Sequence, residues 1–175
     1  MASKQDSDEL FELTGNSPSS WLHQARSLKT AAQLPLDELA RIKASDLSPA
    51  DRSEALMSHI QSYMLLTSFS FENLIKGILT SRKPNMVDGK SLSTALWDNK
   101  NGHKVVDIIP ADIILSDQER DLFIRLQAFA IWAGRYPIPM NSHDYHSAQS
   151  LLKYETTDPL IAEELFFRLV KYVIY

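Results

Sequence analysis

The chain has 175 residues, of which 44% are hydrophobic and 23% charged, and a formal net charge of -4. That length and composition suit a folded domain that buries most of its unfolded-chain surface, far from the polar, highly charged compositions that stay disordered. The acidic balance excludes a strongly basic, nonspecific phosphate binder while allowing a local basic patch, and the absence of cysteine excludes disulfides, thiolate nucleophiles and cysteine-based zinc sites.

Residues 1–16 are polar and acidic, with only Leu10, Phe11 and Leu13 to bury, so a flexible tail or one loose turn is expected there, followed by a single all-helical domain over 17–175. Acidic residues stand where a signal peptide would carry an unbroken apolar stretch. No segment approaches the roughly 18 apolar residues of a membrane span, so a cytoplasmic protein without a membrane partner is expected.

Ser17 followed by Pro18 reads as a capped helix start. Trp21, Leu22, Ala25, Leu28 and Ala32 then recur at helical spacing, and Pro35 is expected to close this helix. A short helix over Leu36–Lys43 leads to a second start at Ser48 and Pro49. The long helix that follows, about 49–82, carries Ile60, Met64, Thr67, Phe71, Leu74 and Ile78 at alternating steps of four and three, a core seam. Lys83 before Pro84 ends it.

A short helix is predicted around Ser91–Trp97, then an Asn101-Gly102 turn and another short helix after His103. Ser116 with Glu119 forms a capping box. The helix it opens is apolar from Leu122 to Ala133 except for Arg125 and Gln127, which places it at the bundle centre. Gly134 reads as a left-handed C-terminal cap, and Pro137 and Pro139 stiffen the turn after it. Further helices are predicted over Asp144–Tyr154 and from Asp158 with Pro159 onward, the last with Leu160, Leu165, Leu169 and Val173 on one face. The fold class is all-α, a bundle of five to seven helices around the long central one.

A second line on the central helix, Ser70, Asn73, Gly77 and Ser81, is small or polar, and an interior glycine signals close approach to the backbone. Glu72 and Lys76, four apart beside it, form either a surface ion pair or one wall of a polar cleft. Arg135 after a helix C-terminus either bonds free carbonyls or, with Tyr136, offers a cationic fork and an aromatic face to a phosphate and a base. His103 is a simple cap or, given an orienting partner, an acid–base group. His143 and His146 flank Asp144 but lack further ligands, so no metal site is expected. No phosphate-cradling glycine loop, serine elbow or paired-carboxylate motif is present, and no cofactor is expected; any catalysis falls to His and Arg.

The run SFSFENLIKGIL at 68–79, the Gly102-His103 pair and WAGRYPIP over Trp132–Pro139 resemble bacterial proteins of the HEPN superfamily of nucleotide-binding helical domains, over about residues 60–140. The resemblance implies a helical bundle that commonly dimerises, and in active members a metal-independent ribonuclease with a composite site at the dimer cleft. There, an Arg and a His four to six residues apart act on RNA, His in proton transfer at the 2′-hydroxyl and Arg on the phosphate charge. This chain departs from that pattern: Arg135 precedes His143 with seven residues between, and Asp98, followed by Asn99, stands where an arginine would precede His103.

The resulting expectation is a HEPN-like protein of a bacterial stress or phage-defence system, of the toxin–antitoxin kind, that binds RNA and extends to cleaving it. His103 and Arg135 would be catalytic, with Glu72, Asn73, Lys76 and Tyr136 binding substrate and a homodimer or an antitoxin as protein partner. The alternative is a noncatalytic helical interaction module.

Overall fold

Serine–proline pairs start the two longest helices. The Ser17 hydroxyl accepts the Ser20 N–H and Pro18 opens a helix, α2, over Pro18–Lys43; the Ser48 hydroxyl accepts the Asp51 N–H and Pro49 opens α3 over Pro49–Arg82. In the computed structural model, which describes residues 4–83, 87–88, 91–93 and 102–173, α3 is the longest element at 34 residues. It ends as expected, with Lys83 extended ahead of Pro84.

Two expectations near the N-terminus are corrected. The segment expected as a tail or loose turn contains a helix, α1, over Lys4–Gly15. Its end is tied to the body: the Asn16 amide donates to the Val87 carbonyl and its oxygen accepts the Val87 N–H, while the Trp21 indole N–H donates to the Gly15 carbonyl. Pro35 does not close α2, which runs on to Lys43 and so merges the two predicted helices. The proline deprives the Ala31 carbonyl of its helical partner, at a cost of about 3 kcal/mol. Burial of Leu39 and Ile42 beyond it offsets this at about 1.5–3 kcal/mol for each side chain.

A third correction concerns Ser91, which begins not a helix but a short strand. Val87–Asp88 (β1) pairs antiparallel with Ser91–Leu92 (β2), Val87 opposite Leu92. The remainder of the predicted helix, 94–97, and Asn101 lie outside the described residues, as do Asp98 and Asn99. After His103 comes the predicted short helix, α4, over Val105–Ile108.

The capping box forms as read: Ser116 Oγ accepts the Glu119 N–H and Glu119 Oε2 accepts the Ser116 N–H. It opens α5, Asp117–Ala128, which widens into a π-helical turn over Phe129–Ala133. Gly134 follows with φ -84°, a right-handed conformation, so the expected left-handed cap is corrected. The position needs glycine for space. A Cβ there would stand 2.8 Å from Leu65 Cβ and 3.0 Å from the Phe129 carbonyl oxygen.

The helix predicted over Asp144–Tyr154 starts earlier and stops sooner. As α6 it spans Ser142–Ala148, capped by the Asn141 side chain on the Asp144 N–H, and a 3-10 turn follows over Gln149–Leu151. The last helix, α7, spans Asp158–Val170. Its buried face carries Ala162, Leu165, Phe166 and Leu169, with Val173 buried beyond its end, whereas Leu160, predicted on that face, is exposed.

One contiguous apolar cluster draws on α2, α3, α4, α5 and α7. At its centre Phe71 of α3 meets Phe123 of α5 edge-on at 5.0 Å and Phe166 of α7 at 6.0 Å. Arg125 lies inside this region at 1% exposure and Asp158 at 0%. Two parallel bonds join them, Nη1 to Oδ2 at 2.6 Å and Nη2 to Oδ1 at 2.7 Å, while Arg125 Nε donates to Asp121 at 2.8 Å. Burial alone would favour the uncharged guanidine, but the Asp158 and Asp121 carboxylates outweigh it and raise the Arg125 pKa.

Two measurements test this account. Asp158→Ala leaves the buried Arg125 charge with the half-exposed Asp121 carboxylate alone and is expected to lower unfolding free energy by about 3–5 kcal/mol. Gly134→Ala, though its backbone angles suit alanine, is expected to cost about 1–3 kcal/mol through overpacking. Urea unfolding followed by circular dichroism reads both.

Candidate functional site

Glu72 and Lys76 lie one turn apart on α3 and are nearly buried, at 6% and 8% exposure. They are therefore not a surface pair. Lys76 Nζ donates to Glu72 Oε1 at 2.6 Å, and its ammonium lies 5.8 Å from the ring centroid of Trp21 on α2. His103 enters from the Gly102-His103 turn, which α4 anchors through buried Val105 and Ile108. Its Nδ1 is 2.8 Å from Glu72 Oε2, so the two oxygens of one carboxylate serve a lysine and a histidine. The His103 side chain remains 45% exposed. A buried carboxylate behind a partly exposed imidazole orients the ring and stabilises positive charge on it, the arrangement used for proton transfer.

The small polar line on α3 has a different role from the cleft considered above. Ser70 Oγ donates to the Ala25 carbonyl of α2 at 2.8 Å. A Cβ on Gly77 would meet Trp21 Cβ at 3.2 Å. At Ser70 and Gly77, then, α2 packs closely on α3. Asn73 Nδ2 donates to the Phe69 carbonyl and Ser81 Oγ to the Ile78 carbonyl, within their own helix.

Arg135 and Tyr136 belong to a separate groove lined by Ile131, Trp132, Pro137, Ile138 and Met140 as well. Arg135 Nη2 donates to the Ile131 carbonyl at 2.7 Å, closing the helix end, and the guanidinium lies 5.4 Å from the Tyr136 ring centroid. Gly134 packs on Leu65, which is seven residues before Glu72. Seven residues is about 10 Å along a helix and nearly two whole turns, so Gly134 meets α3 about two turns before Glu72. The structure brings Glu72, Lys76 and His103 together and leaves Arg135 and Tyr136 farther along.

Elsewhere, a cavity of about 40 Å³ between α2, α3 and α7 is lined in part by Tyr63, Thr67 and Ser70, with the Lys29–Glu163 ion pair among its lining residues. It has room for a few waters. Burial pushes the Tyr63 hydroxyl far above the ordinary tyrosine range. Among the described residues no three His, Asp or Glu side chains are grouped to hold a metal, and no helix is long and apolar enough to cross a membrane.

The sequence marks Glu72, Lys76 and His103 but not the Arg125–Asp158 pair; the signal for it is an arginine within the mainly apolar run Leu122–Ala133. Compared with known proteins, the chain matches no family model, no curated protein and no solved structure. Because Arg135 is exposed and makes a single capping bond, Arg135→Ala is expected to cost only about 0.5–1.5 kcal/mol, measured by the same urea unfolding.

Proposed function

We propose that this is a HEPN-like helical protein that binds RNA and cleaves it without a metal, in a bacterial stress or phage-defence setting. The observation that carries the reading is the buried Glu72 carboxylate bonded to His103 Nδ1. His103 takes the proton of a ribose 2′-hydroxyl as that oxygen attacks the adjacent phosphorus and the P–O5′ bond breaks, leaving a 2′,3′-cyclic phosphate and a 5′-oxygen that takes up a proton from water, and Glu72 stabilises the imidazolium that forms. Arg135 and Tyr136, in the separate groove that follows Gly134, hold the strand by its phosphate charge and a stacked base. This assigns Arg135 to binding rather than to the reacting phosphate. Asn73 supports α3 through its bond to the Phe69 carbonyl.

Incubating single-stranded RNA with the full chain in excess EDTA tests the proposal. Wild type is expected to cleave, His103→Ala to lose at least about 100-fold in rate, and Arg135→Ala to raise KM more than it lowers kcat. No cleavage by wild type, or unchanged cleavage by His103→Ala, overturns it.

A second reading, a noncatalytic module that binds a protein partner, is favoured by one observation: Tyr136, Ile138 and Met140 are exposed beside the Trp132 groove. It takes precedence if wild type neither binds nor cleaves RNA.

A further inference from the structure

We propose that Lys76 is a positioning residue, fixing the Glu72 carboxylate so that His103 is held as the tautomer protonated on Nδ1. This rests on the reading of His103 as a base, but its geometry stands independently of any substrate. Lys76 is 8% exposed, held between Glu72 Oε1 at 2.6 Å and the Trp21 ring at 5.8 Å. Its ammonium is thus directed at the carboxylate.

The chain of contacts behind this begins at Gly77. The missing side chain lets Trp21 Cβ come within 3.2 Å of where a Cβ would stand, and the indole N–H is fixed on the Gly15 carbonyl at 2.8 Å. The ring is thereby set over Lys76. Lys76 in turn occupies Oε1, leaving Oε2 aimed at His103 Nδ1 at 2.8 Å. The terminal torsion of a glutamate is broad, so without the lysine neither oxygen is assigned to the histidine.

Charge and hydrogen-bond polarity then define the tautomer. A buried carboxylate requires a counter-charge, and Lys76 provides it, so the imidazole need not. An ionised carboxylate only accepts hydrogen bonds, so the proton in the His103–Glu72 bond belongs to Nδ1 and the neutral ring carries its lone pair on Nε2.

The test is a long-range proton–nitrogen correlation spectrum of the imidazole in the 15N-labelled full chain without RNA, at about pH 8, where an ordinary imidazole is neutral. Wild type is expected to show His103 protonated on Nδ1 alone. Lys76→Met is expected to lose this single pattern, giving a tautomer mixture or a ring protonated on both nitrogens, and Lys76→Arg, which keeps the charge and donors, to restore it. A wild-type ring protonated on Nε2 overturns the assignment even should Lys76→Met fail to fold, and so does a folded Lys76→Met with the wild-type pattern. The Nδ1-protonated ring in a chain that cleaves no RNA upholds the role of Lys76 while overturning the proposed catalysis.

Discussion

The bidentate bond between Arg125 and Asp158 is the constraint around which the bundle is arranged. Both groups are shut away from water, and removing two charges from water costs several kcal/mol each unless geometry and additional hydrogen bonds compensate. Here they do: the guanidinium also donates to Asp121 and to the Lys153 carbonyl, and Asp158 also accepts the Glu155 N–H. The pair joins α5 to the start of α7 and folds residues 153–158 between them. Other placements of α7 would leave one of the charges without its partner, so the pair selects a packing more than it adds cohesion.

From that alignment the apolar interior follows. With α7 set against α5, Phe166 reaches the Phe71–Phe123 contact, and the central helix is covered from two sides. The other long contact of α3, with α2, includes points where small residues stand on α3. Ser70 and Gly77 allow the backbones to approach, and Trp21 fits over the gap. Beside the α2–α3 contact stands the polar cluster of Glu72, Lys76 and His103, of which the histidine is much the most exposed.

Much of the architecture was legible because its causes are local. The Ser-Pro starts at 17 and 48, the Ser116–Glu119 box and the seam from Met64 to Ile78 each depend on residues within one or two turns. What could not be read depends on distant partners. Asp158 beside Pro159 looks like an ordinary helix start, and nothing near it indicates an arginine 33 positions earlier. Small residues at 70 and 77 are equally consistent with an open cleft and with a close helix contact; only the position of Trp21 decides. Pro35 signals a helix end locally, but the buried side chains beyond it override the signal. For the candidate site, the Glu72–Lys76 spacing showed the pair but not its burial, and the proximity of His103 depends on the fold of the intervening chain.

The π turn at Phe129–Ala133 has a consequence for the length of this segment. Such a turn holds an additional residue within an α-helix, and one residue corresponds to about 100° of rotation about the axis. Everything from Gly134 onward is therefore phased differently from a regular continuation of α5. Deleting a single alanine from the turn would barely alter composition, yet it would swing the arginine–tyrosine corner a quarter of the way round the helix, away from the side on which Gly134 packs against Leu65. Along this stretch residue count, more than residue type, determines which side of the bundle carries the groove.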